Sequence, residues 1–134
     1  LREILTRGEP FQGVSSGPSS FQEKAEGMMD NYADYDATGL AELVRKGDVS
    51  AGELLNEAVT RANAAQKDLN CFSAMFPEVG ERQISDGLPD GPFMGVPMAV
   101  KDLGFEIESQ PITNGSLAFK GNVATRNSVL TERY

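Results

Sequence analysis

The sequence predicts an α/β fold in which N-terminal helices are followed by the first strands of a mixed sheet covered by helices. Apolar side chains recur at helical spacing between residues 36 and 66, behind residues that cap helices. Val96 to Val100 is then a short continuous apolar run, which is typical of a strand buried on both faces. Leu103, Phe105 and Ile107 alternate with polar or small residues, as in a half-exposed strand.

The first predicted helix begins behind Asp36 or Thr38, either of which can accept hydrogen bonds from the free N–H groups of the first turn. Its apolar face consists of Leu40, Leu43 and Val44. Gly47 ends it, because glycine readily takes the left-handed conformation found just past a helix.

The second predicted helix is stronger. Ser50 and Glu53 have the spacing of a capping box, in which each side chain accepts the other residue's backbone N–H. Apolar residues then follow along one side to about Gln66, namely Leu54, Leu55, Ala58, Val59 and Ala62.

Asn70 to Phe76 is predicted to be a strand or an extended segment that ends at Pro77. Residues 77–92 are polar and rich in turn formers, and we predict no regular element there. A last helix is expected after residue 125, capped by Thr125 or Asn127.

The chain divides at about residue 34. Residues 1–34 are rich in Gly, Ser and Pro and poor in branched apolar residues, which predicts a flexible or linker-like extension. Residues 35–134 carry the regular pattern and are predicted to form the domain.

Composition excludes several classes of function. The net charge of the 134 residues is −8, without a basic cluster, which argues against a nucleic-acid partner. The chain has no run of about 18 apolar residues that could span a membrane and no leader-like start, so a cytoplasmic location is expected. The single cysteine, Cys71, cannot form an internal disulfide and is expected in the core.

The sequence contains no histidine, which restricts the chemistry further. Neither a Ser–His–Asp nor a Cys–His nucleophile system can be built, and zinc sites that use His or several Cys are excluded. A hydrolase made from this chain needs another base. Lys101, which follows the apolar run, is the candidate, because burial disfavours the charged ammonium form. The alternative is a lysine at the end of a strand that reaches solvent.

Four segments in order resemble the amidase signature family, whose members cleave amides with a Ser–Ser–Lys triad. They are residues 40–54, residues 91–104 with Gly95-Val96-Pro97 and Lys101-Asp102-Leu103-Gly104, the turn Thr113-Asn114-Gly115-Ser116, and residues 124–130. The Lys-Asp-Leu-Gly form is most similar to bacterial amidases and hydrolases of cyclic oligoamides. The resemblance implies that residues 35–134 are the N-terminal part of a truncated amidase signature domain.

The resemblance also implies a function. Lys101 would be the catalytic base of an amidase that converts a small-molecule amide into a carboxylic acid and ammonia or an amine through a serine acyl-enzyme. The two triad serines have no match here, since Ser116 falls in a turn that family members carry in addition to them. We therefore expect the chain alone to be inactive, with no cofactor, no metal and no membrane partner, and with a homodimer as one option for its assembly. Two alternatives stay open: part of a glutamine-dependent amidotransferase subunit, or a non-catalytic remnant or binding module.

Overall fold

The computed structural model describes Met29 and residues 31–134. The regular elements of this part are helical, and irregular segments join them. In order they are a 3-10 turn at Tyr32–Asp34, α1 at Ala37–Lys46, α2 at Ala51–Leu69, α3 at Pro77–Asp86, a 3-10 turn at Leu117–Phe119, and α4 at Val129–Arg133. Residues 1–28 and 30 lie outside the described residues, so the linker-like extension stays a prediction.

Local capping chemistry determines where α1 and α2 begin. Asp36, not Thr38, caps α1, and its Oδ1 accepts a hydrogen bond from Gly39 N–H at 2.8 Å. Ser50 and Glu53 form the predicted capping box: Ser50 Oγ accepts from Glu53 N–H at 3.1 Å, and the Glu53 carboxylate accepts from Ser50 N–H at 2.8 Å. Gly47 ends α1 with a φ of 76°, as predicted.

The sequence does not predict α3, because residues 77–86 are mostly polar. Pro77 lies in its first turn, where the missing N–H has no intrahelical partner to lose. The helix packs on α2, and the backbone of Gly80 lies against the side chain of Leu55. A Cβ added there would lie 3.2 Å from Leu55 Cδ2, so the small residue allows the contact.

The strand predicted at residues 70–76 is not formed. The side chain of Gln66, near the end of α2, makes the two hydrogen bonds that a neighbouring strand would make to Phe72. Its Oε1 accepts from Phe72 N–H at 2.8 Å, and its Nε2 donates to Phe72 O at 3.0 Å. Both backbone groups of Phe72 are thus satisfied without a sheet. Cys71, expected in the core, is exposed.

The strands predicted at residues 96–100 and 103–107 are also absent from the described part of the chain, where these residues are irregular. A strand needs a neighbour to take up its N–H and C=O groups, and none lies beside them. The one β-type contact in the described range is an isolated antiparallel bridge between Pro111 and Val123. The α/β architecture with a mixed sheet therefore stays a prediction.

The described core is small. Its buried apolar side chains are Leu40, Ala41, Ala51, Leu54, Ile112 and Ala124. Beside it, Glu57 is 7% exposed and accepts a hydrogen bond from Arg61 Nε at 2.5 Å. The Arg61 guanidinium also lies 5.1 Å from the ring centroid of Tyr32, which attaches the first 3-10 turn to α2.

Candidate active site

The segment that leads to Lys101 is anchored on the junction of α1 and α2. The Arg45 guanidinium of α1 donates to Gly91 O at 2.7 Å and to Pro92 O at 3.0 Å. Gly95 follows with a φ of 79°, and a Cβ added to it would lie 3.0 Å from Val44 Cγ1. A glycine is required at this position by both the backbone conformation and the space. The helical pair therefore fixes the start of the lysine segment.

Lys101 itself is exposed in the described structure. A role as base calls for burial against the apolar run before it, but Met98 of that run is 55% exposed. Three residues of the run are half-buried and the others are exposed, and the expected sheet is not formed in the described chain. The burial expected for Lys101 is thus not found in these residues. No ion pair joins Lys101 to a carboxylate among the residues described.

Asp102, the next residue, makes three hydrogen bonds to a turn eleven residues further along. Its Oδ1 accepts from Thr113 N–H at 2.8 Å and from Asn114 N–H at 3.2 Å, and its Oδ2 accepts from the Thr113 hydroxyl at 2.5 Å. The Thr113 hydroxyl is the main reason that the pKa of the Asp102 carboxyl lies below its ordinary value, and the backbone N–H groups add to the effect.

The turn held by Asp102 is the Thr-Asn-Gly-Ser motif. Asn114 and Gly115 both have positive φ, of 50° and 69°, and Asn114 Oδ1 accepts from Gly104 N–H at 3.4 Å. Ser116 Oγ accepts from Ala118 N–H at 3.3 Å and caps the second 3-10 turn. Its hydroxyl is used structurally, in line with the sequence-based interpretation.

The last predicted motif also has a structural use. Ser128, rather than Thr125 or Asn127, caps α4, and its Oγ accepts from Thr131 N–H at 3.2 Å. Asn127 Oδ1 instead accepts from Glu108 N–H at 2.8 Å, which ties the start of α4 to the segment after Lys101. Both capping options were wrong, by three residues for Thr125 and by one for Asn127, whose side chain is bound to this distant backbone.

Other kinds of site are not indicated by the described residues. They contain no group of three His, Cys, Asp or Glu side chains that could hold a metal ion. None of the helices described has the length and apolar character needed to cross a membrane.

The lysine segment and the turn that Asp102 holds both lie within a region shared with known proteins. A family model described as Amidase matches residues 53–134, which is more than half of the chain. The chain belongs to the amidase family. The membership predicted from the four motifs is therefore confirmed.

Curated relatives agree with this amidase assignment. The 6-aminohexanoate-cyclic-dimer hydrolases of Pseudomonas sp. (strain NK87) and Paenarthrobacter ureafaciens are each 40% identical over 68 residues, which is 51% of this chain and 13% of either relative. A Schizosaccharomyces pombe protein named "Putative amidase C550.07" is 33% identical over 104 residues, 72% of this chain and 19% of that protein. The chain thus spans 13% to 19% of the length of these relatives. No solved structure gives a significant match.

Sequence reasoning missed the link between Asp102 and Thr113 in this amidase segment. The sequence places Asp102 next to Lys101 in the motif but gives it no partner. A signal was present, since a carboxylate followed by Leu-Gly and a threonine followed by Asn-Gly are both typical of turns. What the sequence does not give is that these two turns meet.

Proposed function

We propose that this chain supplies Lys101 as the general base of an enzyme that hydrolyses C–N bonds of small-molecule amides. The observation that supports the proposal is the placement of Lys101 between two anchored segments inside the amidase-matched region. Gly95 fixes the segment before it on α1 and α2, and Asp102 fixes the segment after it on the Thr113 turn. We further propose that the amidase domain starts at about residue 35, since the capped helices begin at Ala37.

The reaction follows from the resemblance to Ser–Ser–Lys amidases. An uncharged Lys101 amine takes a proton from a bridging serine, which takes one from the nucleophilic serine as the latter attacks the amide carbonyl. The C–N bond then breaks, and the amine leaves with a proton returned through the same serine. Water attacks the resulting acyl-enzyme and releases the carboxylic acid. Both serines would come from sequence outside these 134 residues.

The base needs a dry site, because only the uncharged amine of a lysine accepts a proton and burial favours that form. The apolar side chains around Lys101 can provide one once they are covered. Met98 is 55% and Leu103 is 56% exposed in the described structure. We propose that further parts of a protein of the relatives' length cover them. The chain alone is then inactive for two reasons, since it has no match to the two triad serines and the described residues leave Lys101 exposed.

The test compares two lysine variants in the full-length enzyme on a panel of simple amides that includes the cyclic dimer of 6-aminohexanoate. Lys101→Met is expected to lower kcat by about 10²- to 10⁴-fold, the usual contribution of a general base. Lys67→Met, at an exposed position of α2, is the matched control and keeps the wild-type rate. Equal rates for both variants would refute the proposal. Glutamine hydrolysis that depends on a co-purifying subunit would favour the amidotransferase alternative.

A further inference from the structure

The hydrogen bonds around Asp102 connect two turns. One turn covers residues 102–104 and follows Lys101, and the other contains Thr113, Asn114 and Gly115. The Thr113 hydroxyl donates to Asp102 and accepts from Gly115 N–H at 3.2 Å, so it takes part in both the link and the turn. A further hydrogen bond between the two turns is donated by Gly104 N–H to the side-chain oxygen of Asn114. Hydrogen bonds therefore connect Asp102, the residue after Lys101, to a turn that begins eleven residues further along the chain.

The second turn begins at a fixed point. Ile112, directly before Thr113, is 4% exposed, and its N–H donates to Asn122 O at 3.1 Å. The Asn122 side chain returns a hydrogen bond to Ile112 O at 3.1 Å. The turn thus directly follows one of the few buried side chains in the C-terminal half of the chain. Asp102, which is hydrogen-bonded to the turn, is therefore linked to a buried residue.

We propose that Asp102 is a positioning residue for Lys101: its carboxylate fastens the lysine backbone to the Thr113 turn and thereby fixes the direction from which the amine reaches its serine. The inference rests on the proposed function of Lys101. The oxygens of the carboxylate are occupied by three neutral donors from Thr113 and Asn114 and by the side chain of Ser73, and no ion pair joins the carboxylate to the Lys101 amine among the described residues. A negative charge adjacent in sequence is in this way prevented from pairing with the base.

Two variants of Thr113 in the full-length enzyme separate positioning from folding. Thr113→Val removes the hydroxyl and keeps the shape, whereas Thr113→Ser keeps the hydroxyl and loses a methyl group. We expect Thr113→Val to lower kcat about 10- to 100-fold, the scale of a small misplacement of a catalytic group, with KM unchanged. Thr113→Ser is expected to retain the wild-type kcat. Wild-type kcat in Thr113→Val, or an equal loss in both variants, would overturn the inference.

Asp102→Asn supplies a second measurement that does not depend on the folding of Thr113→Val. The amide accepts fewer of the three hydrogen bonds, so kcat falls while KM is kept. Asp90→Asn, at an exposed carboxylate of the loop before the lysine segment, is the control and is expected to leave kcat unchanged. If Lys101→Met is inactive but Asp102→Asn has the wild-type kcat, only the positioning role fails. If Lys101→Met is active, the proposed function fails.

Discussion

Replacement of Gly95 by alanine tests whether the helical pair holds the lysine segment. At a φ of 79° an L-residue is strained by about 1–2 kcal/mol. The added Cβ would also lie 3.0 Å from Val44 Cγ1 and 3.1 Å from Ala51 Cβ. Overpacking of this kind costs about 1–3 kcal/mol, so the free energy of unfolding is expected to fall by about 2–5 kcal/mol.

Alanine variants of two other glycines separate the conformational cost from the overpacking cost in this loss of unfolding free energy. Gly47 has a φ of 76° but open space around it, so Gly47→Ala should lose only the conformational part, about 1–2 kcal/mol. Gly91 has neither a positive φ nor a close neighbour, and Gly91→Ala should be neutral or stabilise slightly. Urea denaturation followed by circular dichroism gives the order. A Gly95→Ala variant as stable as Gly91→Ala would refute the packing of the lysine segment on α1 and α2.

Three further predictions concern the cap of α2, the loss of the Asp102 hydrogen bonds at low pH, and the amidase activity of the chain alone. Ser50→Ala removes the capping box of α2 and should lower the free energy of unfolding by about 1 kcal/mol in urea denaturation, with exposed Ser85→Ala as the neutral control. Because the folded pKa of Asp102 lies below its ordinary 3.8, its hydrogen bonds should persist above that pH and be lost as the pH falls through the lower folded value. The NMR shift of the Thr113 amide should titrate there, and a shift that also titrates in Asp102→Asn would contradict the assignment. The 134-residue chain alone should release no product from simple amides, and turnover abolished by Lys101→Ala would disprove this.

The parts of the fold that depend on neighbouring residues could be predicted from the sequence. Asp36, Gly47 and the Ser50–Glu53 box act within one turn of their helices, so the sequence could locate the end of α1 and the start of α2 and limit the cap of α1 to Asp36 or Thr38. The start of α3 has a local signal as well, since Pro77 favours a first turn. Its packing on α2 depends on contact between Gly80 and Leu55 of another helix, which no local pattern shows.

The parts that depend on distant residues could not be predicted. A continuous apolar run such as residues 96–100 predicts a strand only if another strand lies beside it, and the described chain offers none. The motif alone is enough to propose Lys101 as the base, whereas the contact between Asp102 and Thr113 requires two turns to meet in space. Asn127 shows the same limit, because its side chain binds Glu108 N–H instead of the helix that follows it.

Chemical rescue of Lys101→Ala in the full-length enzyme tests the role of the lysine as base most directly. The measurement is the rate of carboxylic acid formation from a simple amide at increasing concentrations of ethylamine. A general-base role predicts a very low rate without amine, which rises in proportion to the uncharged ethylamine and not to its ammonium form. A wild-type rate in Lys101→Ala without any added amine would contradict the account.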